Sequence, residues 1–189
     1  MKSYLRFLGR NKIYTAIEVV GLSVALAFVL IIGSYVWQEY SISRENPDYE
    51  RIYIPTQSMP YGIFEPMKEQ IPEIEKITLV NSFDDVVMEC DDERLVTRGL
   101  AVRGDFFDIF DYEFLIGDAG CLESYTDIVI SESYAAKLAG KPELAVGMKI
   151  VPVDYPSQAY TVTGVIKDFD NNYWKYMDFI CKGESPLND

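Results

Sequence analysis

The sequence contains no histidine among its 189 residues. This absence excludes Ser-His-Asp triads, histidine general bases and most zinc sites, because each of them depends on an imidazole. A GxxxxGK[ST] motif is also missing. Gly140-Lys141-Pro142 lacks both the upstream glycine and the hydroxyl residue that such a motif needs, so the chain shows no P-loop with which to hydrolyse ATP.

Basic residues are scarce, with 17 Lys and Arg against 30 Asp and Glu. Residues 38–189 alone hold 13 basic and 29 acidic residues, which gives them a net charge of −16. Nucleic-acid binding needs basic surface to displace counterions, so we exclude it as a function. The same charge argues against electrostatic docking on anionic lipid. An acidic surface by itself usually serves solubility.

Cysteines are few, and their number is odd: Cys90, Cys121 and Cys181. In an oxidising compartment one pair would form a disulfide and leave one thiol free, but the spacing does not select the pair. The alternative is that all three are buried and act as small apolar residues. The sequence leaves both interpretations open.

Against these absences stands one long apolar run, the nineteen uncharged residues 19–37 (VVGLSVALAFVLIIGSYVW). A helix of this length covers roughly the 30 Å hydrocarbon core of a bilayer. A cleaved signal peptide is the main alternative, but the run is too long for a typical signal, and Ala25-Leu26-Ala27 lies inside it rather than after it. A buried soluble helix is the third possibility. We predict a retained membrane anchor.

The flanks of the run predict its orientation. Basic residues precede it at Lys2, Arg6, Arg10 and Lys12, and lysine and arginine near a span favour the cytoplasmic side. We therefore expect a cytoplasmic N-terminus and an exported remainder. Aromatic residues at the far end fit an interfacial belt; they are Tyr35, Trp37 and Tyr40.

Three weaker features lie around the run. Residues 3–16 alternate apolar and basic side chains, as in a helix lying on a membrane surface. Glu18 adjoins the span, where an ionisable residue is either functional or simply reaches the headgroups; we favour the second. Gly21 and Ala25 offer a weak small-xxx-small face for packing against another helix.

After the run, the pattern predicts a mixed α+β domain. Predicted strands are 51–55, 76–83, 85–89, 95–102, 127–130, 148–153 and 160–166, and predicted helical segments are 63–70, 105–110 and 132–138. Ser131 is positioned to cap the last helix and Gly140 to end it. The signal weakens after Asp168, and we expect the final residues GESPLND to be frayed.

Two acidic groupings are candidates for chemistry. Asp168-Phe169-Asp170-Asn171-Asn172 places oxygens at alternating positions, as a calcium loop does, but Tyr173 and Phe179 occupy the positions of the required glycine and glutamate. Asp84-Asp85 and Asp91-Asp92-Glu93 fall in predicted turns, where all carboxylates stay solvated, whereas acid/base catalysis needs two carboxylates in contrasting environments. We therefore predict no catalytic residue, no metal ligand, no cofactor and no enzymatic activity.

Several blocks, in this order, resemble the N-terminal portion of bacterial MacB/FtsX-type ABC transporter permeases. They are YLRFLGRNKIYTAIEVVGLSVALAFVLII (4–32), EYSISRENPDYERIYIP (39–55), FFDIFDYEFLIGD (106–118), DIVISESYAAKLAG (127–140), VGMKI (146–150) and YTVTGVIKDFDNN (160–172). No single block is specific, but six in the right order make a fairly strong match over residues 3–175.

The resemblance implies a first membrane helix followed by an extracytoplasmic MacB-like periplasmic core domain, with a porter-like part and a small second subdomain. The expected division is a cytoplasmic or interfacial lead-in at 1–16, a transmembrane helix at 17–40 and the extracytoplasmic domain at 41–189. The resemblance also implies a bacterial inner-membrane location, a separate ATPase, a permease homodimer or a complementing permease fragment, and periplasmic partner proteins.

No further apolar span follows residue 38, whereas the family has three more membrane helices. We therefore expect a truncated permease: a fragment, a split gene product or a decayed copy. Its expected function is that of a membrane-anchored permease portion, of export or mechanotransmission type, that needs the missing helices. The alternative is a single-pass module that binds periplasmic partners, or a truncated permease without function.

Overall fold

The structure is a computed structural model that describes residues 12–41, 48–55, 63–91, 93–168, 174 and 176–183. The chain divides into two compact units, residues 1–45 and 46–189. Three predicted features lie wholly or partly outside the described residues: most of the amphipathic lead-in, the segment after Asp168 and the C-terminal residues after Gly183.

The first unit contains a single helix in its described part, α1 (Lys12–Ser41). Thirty residues at about 1.5 Å each span about 45 Å, which exceeds the thickness of a bilayer core. Ser23 Oγ donates to Val19 O at 2.7 Å and Ser34 Oγ to Ile31 O at 2.8 Å. Residues 12–38 are long and apolar enough to cross a membrane, and none of their side chains is buried.

The second unit mixes strands and short helices. Its strands are β1 (Thr78–Cys90), β2 (Glu93–Gly104), β3 (Phe114–Ile116), β4 (Asp127–Ser131), β5 (Lys149–Pro152), β6 (Tyr160–Ile166) and β7 (Phe179–Lys182). Its helices are α2 (Phe64–Gln70), α3 (Phe106–Ile109), α4 (Glu132–Ala139) and α5 (Pro142–Ala145). The predicted class, one N-terminal helix followed by a mixed α+β domain, is confirmed.

The seven described strands form one sheet that closes on itself. β4 lies between β6 and β7, β7 lies between β4 and β2, and β1 pairs with β2. β5 closes the circuit, because its end pairs with β1 through Met88–Pro152 and its start with β6 through Ile150–Tyr160. β3 adds to the free edge of β6. Closure leaves β5 and β6 with few exposed edge groups.

Alternating residues of the central strands face two separate cores. Ile128, Ile130, Phe179 and Cys181 belong to one cluster, while Val129 and Ile180 belong to the other. This alternation is the period-two pattern of a sheet covered on both faces. The second core is closed by aromatic rings from α3, β3 and the loops; they are Phe106, Phe107, Phe110, Tyr112, Phe114 and Trp174.

Several local predictions are confirmed. The segment 105–110 forms the helical turn α3, with Phe106 and Phe110 buried. Ser131 Oγ accepts a hydrogen bond from Tyr134 N at 3.2 Å, as an N-cap does. Gly140 ends α4 with φ 74°, in the left-handed region that favours glycine.

The predictions differ from the structure at several elements, among them the unpredicted helix α5. Segments 76–83 and 85–89 are one strand, β1, bent at a bulge where Asp85 has φ 57°. The strand predicted at 51–55 is wrong: a 3₁₀ turn (Tyr49–Arg51) leads into irregular chain, where Pro55 has no N–H to give a ladder. β3 and β7 were not predicted, since three or four residues are too few to show a period.

Candidate ligand-binding cleft

A cleft of about 470 Å³ opens in the second unit where β2 extends beyond its pairing with β7. The first half of β2 and the β1 bulge form one wall, and α4 forms the opposite wall. The segment leading into β7 closes one end. The lining residues are Asp85, Val96, Thr97, Arg98, Ser133, Lys137, Asp168, Tyr176, Met177 and Asp178. They come from five separate stretches of chain, which only the closed sheet brings together.

Asp178 fixes the closed end of the cleft. Its backbone N donates to Arg98 O at 2.7 Å, and its Oδ2 accepts from Arg98 N at 3.0 Å. Its carbonyl accepts from Ser131 N at 2.9 Å, and Lys137 Nζ lies 3.9 Å from Oδ1. One residue therefore ties β2, β4 and α4 together directly before β7 begins.

The α4 end of the cleft is already capped. Ser131 Oγ accepts a hydrogen bond from Tyr134 N, and Asp168 Oδ1 accepts a hydrogen bond from Ser133 N at 2.9 Å. Two of the free N–H groups at the helix start are thereby satisfied, and a carboxylate meets the positive end of the helix dipole. Asp168, the first residue of the predicted calcium-like segment, thus serves as a helix-capping group.

The backbone around the cleft is strained. Asp85 has φ 57° and Tyr176 has φ 74°, and both line the cleft. Among the described residues the third such non-glycine position is Asp91, in the β1–β2 turn. A bulky residue in this region typically costs about 1–3 kcal/mol and is held only by surrounding structure. Such strain clusters at binding and switch sites.

The described residues of the two acidic groupings, 84–85 and 91–93, do not converge, and Asp92 lies outside the described residues. Asp84 is 69% exposed and lies 3.6 Å from Arg98 Nε, while Asp91 is exposed at the hairpin turn at the far end of β1. Within the described ranges, no three Cys, Asp or Glu side chains are grouped so as to hold a metal ion.

The cysteines form no disulfide among themselves. Cys90 and Cys181 are buried in the same core. Burial raises the pKa of Cys181 to about 12 although a hydrogen bond with Tyr160 opposes it, and burial with the nearby Asp91 and Glu93 raises the pKa of Cys90. Both therefore remain protonated thiols, as the buried-cysteine interpretation expects. Cys121 is half-buried instead, and its Sγ accepts a hydrogen bond from Asp118 N at 3.3 Å.

The first unit carries a second, shallower depression on the surface of α1, of about 440 Å³. It is lined by Val29, Ile32, Gly33, Val36, Trp37 and Tyr40, which share one face of the helix at three- and four-residue spacing. Glu18 is exposed, and Gly21 has open space around it. The sequence pattern indicated Gly21 and Ala25, rather than this face, as a surface for packing against another helix.

No motif in the sequence marks the cleft. Val96 and Lys137 belong to ordinary strand and helix patterns, and Asp178 follows a stretch with no clear period. The one usable signal is Asp168, which comes directly after a strand and is polar. From the sequence, an ion-ligand role for Asp168 was rejected in favour of a solvated turn after a strand, and its role as a cap on α4 was missed.

The model of the MacB-like periplasmic core domain family matches residues 15–179. No curated protein matches the chain. Among solved structures, a domain of a candidate permease protein from Porphyromonas gingivalis is 24% identical, with a TM-score of 0.54, over 64% of this chain and 51% of that chain.

Two further structures share the fold. The periplasmic region of MacB from Actinobacillus actinomycetemcomitans is 15% identical, with a TM-score of 0.51, over 76% of this chain and 63% of that chain. The extracellular domain of the noncanonic ABC-type transporter YknZ from Gram-positive bacteria is 16% identical, with a TM-score of 0.50, over 68% of this chain and 64% of that chain. The chain thus covers 51–64% of the length of these structures. Since the family match runs from α1 to the start of β7, the chain belongs to the family of the MacB-like periplasmic core domain.

Proposed function

We propose that the chain is the membrane-anchored portion of an ABC transporter permease whose extracytoplasmic domain couples to partner proteins. The family match carries this proposal, because it begins inside the apolar helix and runs on through the closed sheet without a break. An apolar helix joined directly to this domain is the arrangement expected at the first span of such a permease.

The proposed role is mechanical. A single span forms no route across a bilayer by itself, so export or mechanotransmission requires a separate ATPase and further membrane helices. In the bacterial inner membrane, α1 would hold the N-terminus in the cytoplasm and residues 41–189 outside it. The bases Lys2, Arg6, Arg10 and Lys12 support this orientation.

Purification from native membranes tests the proposal. The tagged full chain, extracted in mild detergent, should bring with it an ATPase that carries a P-loop, and the eluate should hydrolyse ATP. An unrelated tagged single-span protein from the same membranes is the control. Elution of the chain without any ATPase would overturn the permease assignment.

A fused reporter tests the orientation separately. An enzyme that folds only after export, attached behind Asp189, should be active, because acidic residues 38–189 follow a span with basic N-terminal flanks. A reporter that works only in the cytoplasm should be inactive at the same point. Activity of the cytoplasmic reporter would reverse the orientation.

The second candidate function is a single-pass binding module that acts without transport. The cleft favours it, because its lining combines polar and apolar side chains and includes two residues with strained backbone angles. Such a depression is suited to hold a ligand whether or not an ATPase is attached. In the same purification, this alternative predicts a stoichiometric extracytoplasmic partner and no ATPase.

A further inference from the structure

One edge of β2 is open where it lines the cleft. Residues 99–102 pair with β1 on one side and with β7 on the other. Residues 93–97 pair with β1 alone among the described strands. At Arg98 the contact on the β7 side is made by Asp178, the residue before β7, through its backbone N and its side chain.

The open edge presents backbone groups at Val96. Arg98 N and O both face the β7 side, since both bond Asp178 there. Backbone direction alternates along a strand, so the N–H and C=O of Val96 face the same side and open into the cleft. No hydrogen bond from another described element reaches them. The Val96 side chain is 67% exposed.

The opposite wall is a helix. Ser133 and Lys137 lie four residues apart on α4 and line the cleft across from β2. A groove between an open strand edge and a helix is the geometry in which an extended peptide adds a strand to a sheet. In that mode the backbone supplies affinity, and alternate side chains supply specificity.

Charge decides what kind of segment fits. The basic groups of the cleft already have partners: Arg98 Nε lies 3.6 Å from Asp84, and Lys137 Nζ lies 3.9 Å from Asp178. Asp85 and Asp168 are exposed and form no ion pair within the described residues. Since no described cation pairs with these two carboxylates, their negative charge attracts lysine and arginine.

We infer that this cleft binds an extended, basic segment of a partner protein as an added β-strand on the Val96 edge. Its backbone bonds the N–H and C=O of Val96, an apolar side chain packs on Val96 and Met177, and alternate lysines or arginines meet Asp85 and Asp168. This inference goes beyond the proposed permease function and holds whether or not an ATPase is bound.

Peptide binding to the full chain in detergent tests the inference. The probe is fluorescently labelled acetyl-Lys-Val-Lys-Val-Lys-Val-amide, followed by anisotropy. Two control peptides are matched in length: one with glutamate in place of each lysine, and one with proline in place of the central valine. We expect the probe to bind at least tenfold more tightly than either control, and to slow hydrogen exchange in the β2 peptide that contains residues 94–98.

Protein variants separate backbone from charge. Val96→Pro removes the N–H at the edge and should weaken the probe at least tenfold, whereas Val96→Thr keeps the N–H and should change binding less than threefold. Asp85→Asn should weaken the probe about three- to fivefold at low salt. Its matched control is Asp91→Asn, because Asp91 is likewise exposed with positive φ but lies in the hairpin turn.

Three results would overturn the inference: equal binding by the glutamate peptide, unchanged binding to Val96→Pro, or no exchange protection at residues 94–98 when the probe is bound. If Val96→Pro does not fold, two measurements still decide the question. They are the comparison of Asp85→Asn with Asp91→Asn, and hydrogen exchange on the unaltered chain. None of these readouts involves an ATPase, so failure here is distinguishable from failure of the permease assignment.

Discussion

At the scale of single residues, Gly99 shows how tightly the sheet is packed. A Cβ at this position would lie 2.1 Å from the tip of the Phe179 ring. Phe179 is completely buried between β2 and β4, so the ring has nowhere to move. The requirement for glycine therefore comes from a close approach between strands, not from an unusual backbone angle.

We expect Gly99→Ala to lower the free energy of unfolding by about 1–3 kcal/mol through overpacking. Urea unfolding followed by Trp174 fluorescence, in a Trp37→Phe background, measures it, because the Trp174 ring lies 4.8 Å from Phe110 in the second core. Adding Phe179→Leu should recover part of the loss, as expected for residues in contact. Additive effects of the two substitutions would contradict the packing argument.

A second residue, Asp105, joins three elements near the start of the domain. Its Oδ2 accepts from Lys68 Nζ at 2.7 Å and from Ile77 N at 3.1 Å. Burial by itself would raise the pKa of this carboxyl, but the bonds from Lys68 and Ile77 outweigh burial and hold the pKa below its ordinary value. The ionised form is thus preferred in the folded state.

Because the folded pKa lies below the ordinary value of 3.8, this stabilisation is present at pH values above that ordinary value and is lost as the pH falls through the folded pKa. We expect Asp105→Asn to destabilise the chain at pH 7 by about 1 kcal/mol, since Lys68 is partly solvated. The gap from the unaltered protein should close in acid. Urea unfolding at a series of pH values measures this, with exposed Asp108→Asn as the control. A gap that persists unchanged in acid would contradict the assignment.

At the scale of elements, α4 is determined by residues close to it in the chain. Ser131 caps its start, and Gly140 ends it with φ 74°. Both were predicted from the sequence, because a cap satisfies backbone groups within three or four residues of itself. By contrast, Asp168 caps the same helix from 35 residues away, and no local sequence pattern predicts that contact.

Gly140→Ala should destabilise the protein by about 1–2 kcal/mol, because a Cβ is unfavourable in the left-handed region. Nothing lies within 4 Å of that Cβ, so steric clash with neighbours does not contribute. Gly140→Asn should cost less, since asparagine tolerates this conformation better than alanine. Thermal unfolding of the three proteins gives the order. An unchanged unfolding temperature in Gly140→Ala would contradict the role of Gly140 as the left-handed residue that ends α4.

At the scale of the whole molecule, an apolar helix precedes a strongly acidic domain. The segment 12–38 has a mean hydropathy of 2.5 in its most apolar window. The family match joins this helix to the closed sheet, which supports a membrane-anchored protein with an extracytoplasmic domain. The boundaries predicted at residues 16 and 40 and the inner-membrane orientation stay predictions.

Ala27→Arg tests whether the helix spans a membrane. A charge near the centre of a span should reduce insertion by about 2.5–3.5 kcal/mol on the translocon scale. The measurement is the fraction of the chain that stays with membranes after alkaline extraction, and Ala27→Leu is the matched control. Equal retention of the arginine and leucine variants would contradict a spanning helix.

Much of the fold was predictable wherever its cause is local. The β1–β2 hairpin, the α3 turn, the ends of α4 and the strands β4, β5 and β6 all follow from period, turn residues or caps. β7 escaped prediction although it lies in the middle of the sheet, since FICK is buried on both faces and shows no alternation. The cleft escaped because its walls belong to distant segments.

By itself, the sequence determined the apolar helix, the net negative charge of residues 38–189 and the mixed class, because hydropathy, charge and capping depend on composition and near neighbours. Only the tertiary structure decided that the sheet closes through β5, that Cys90 and Cys181 are buried thiols, and that Asp178 bonds Arg98 across 80 residues. Such contacts depend on how strands pair, which is set by the packing of both cores together and not by any one segment.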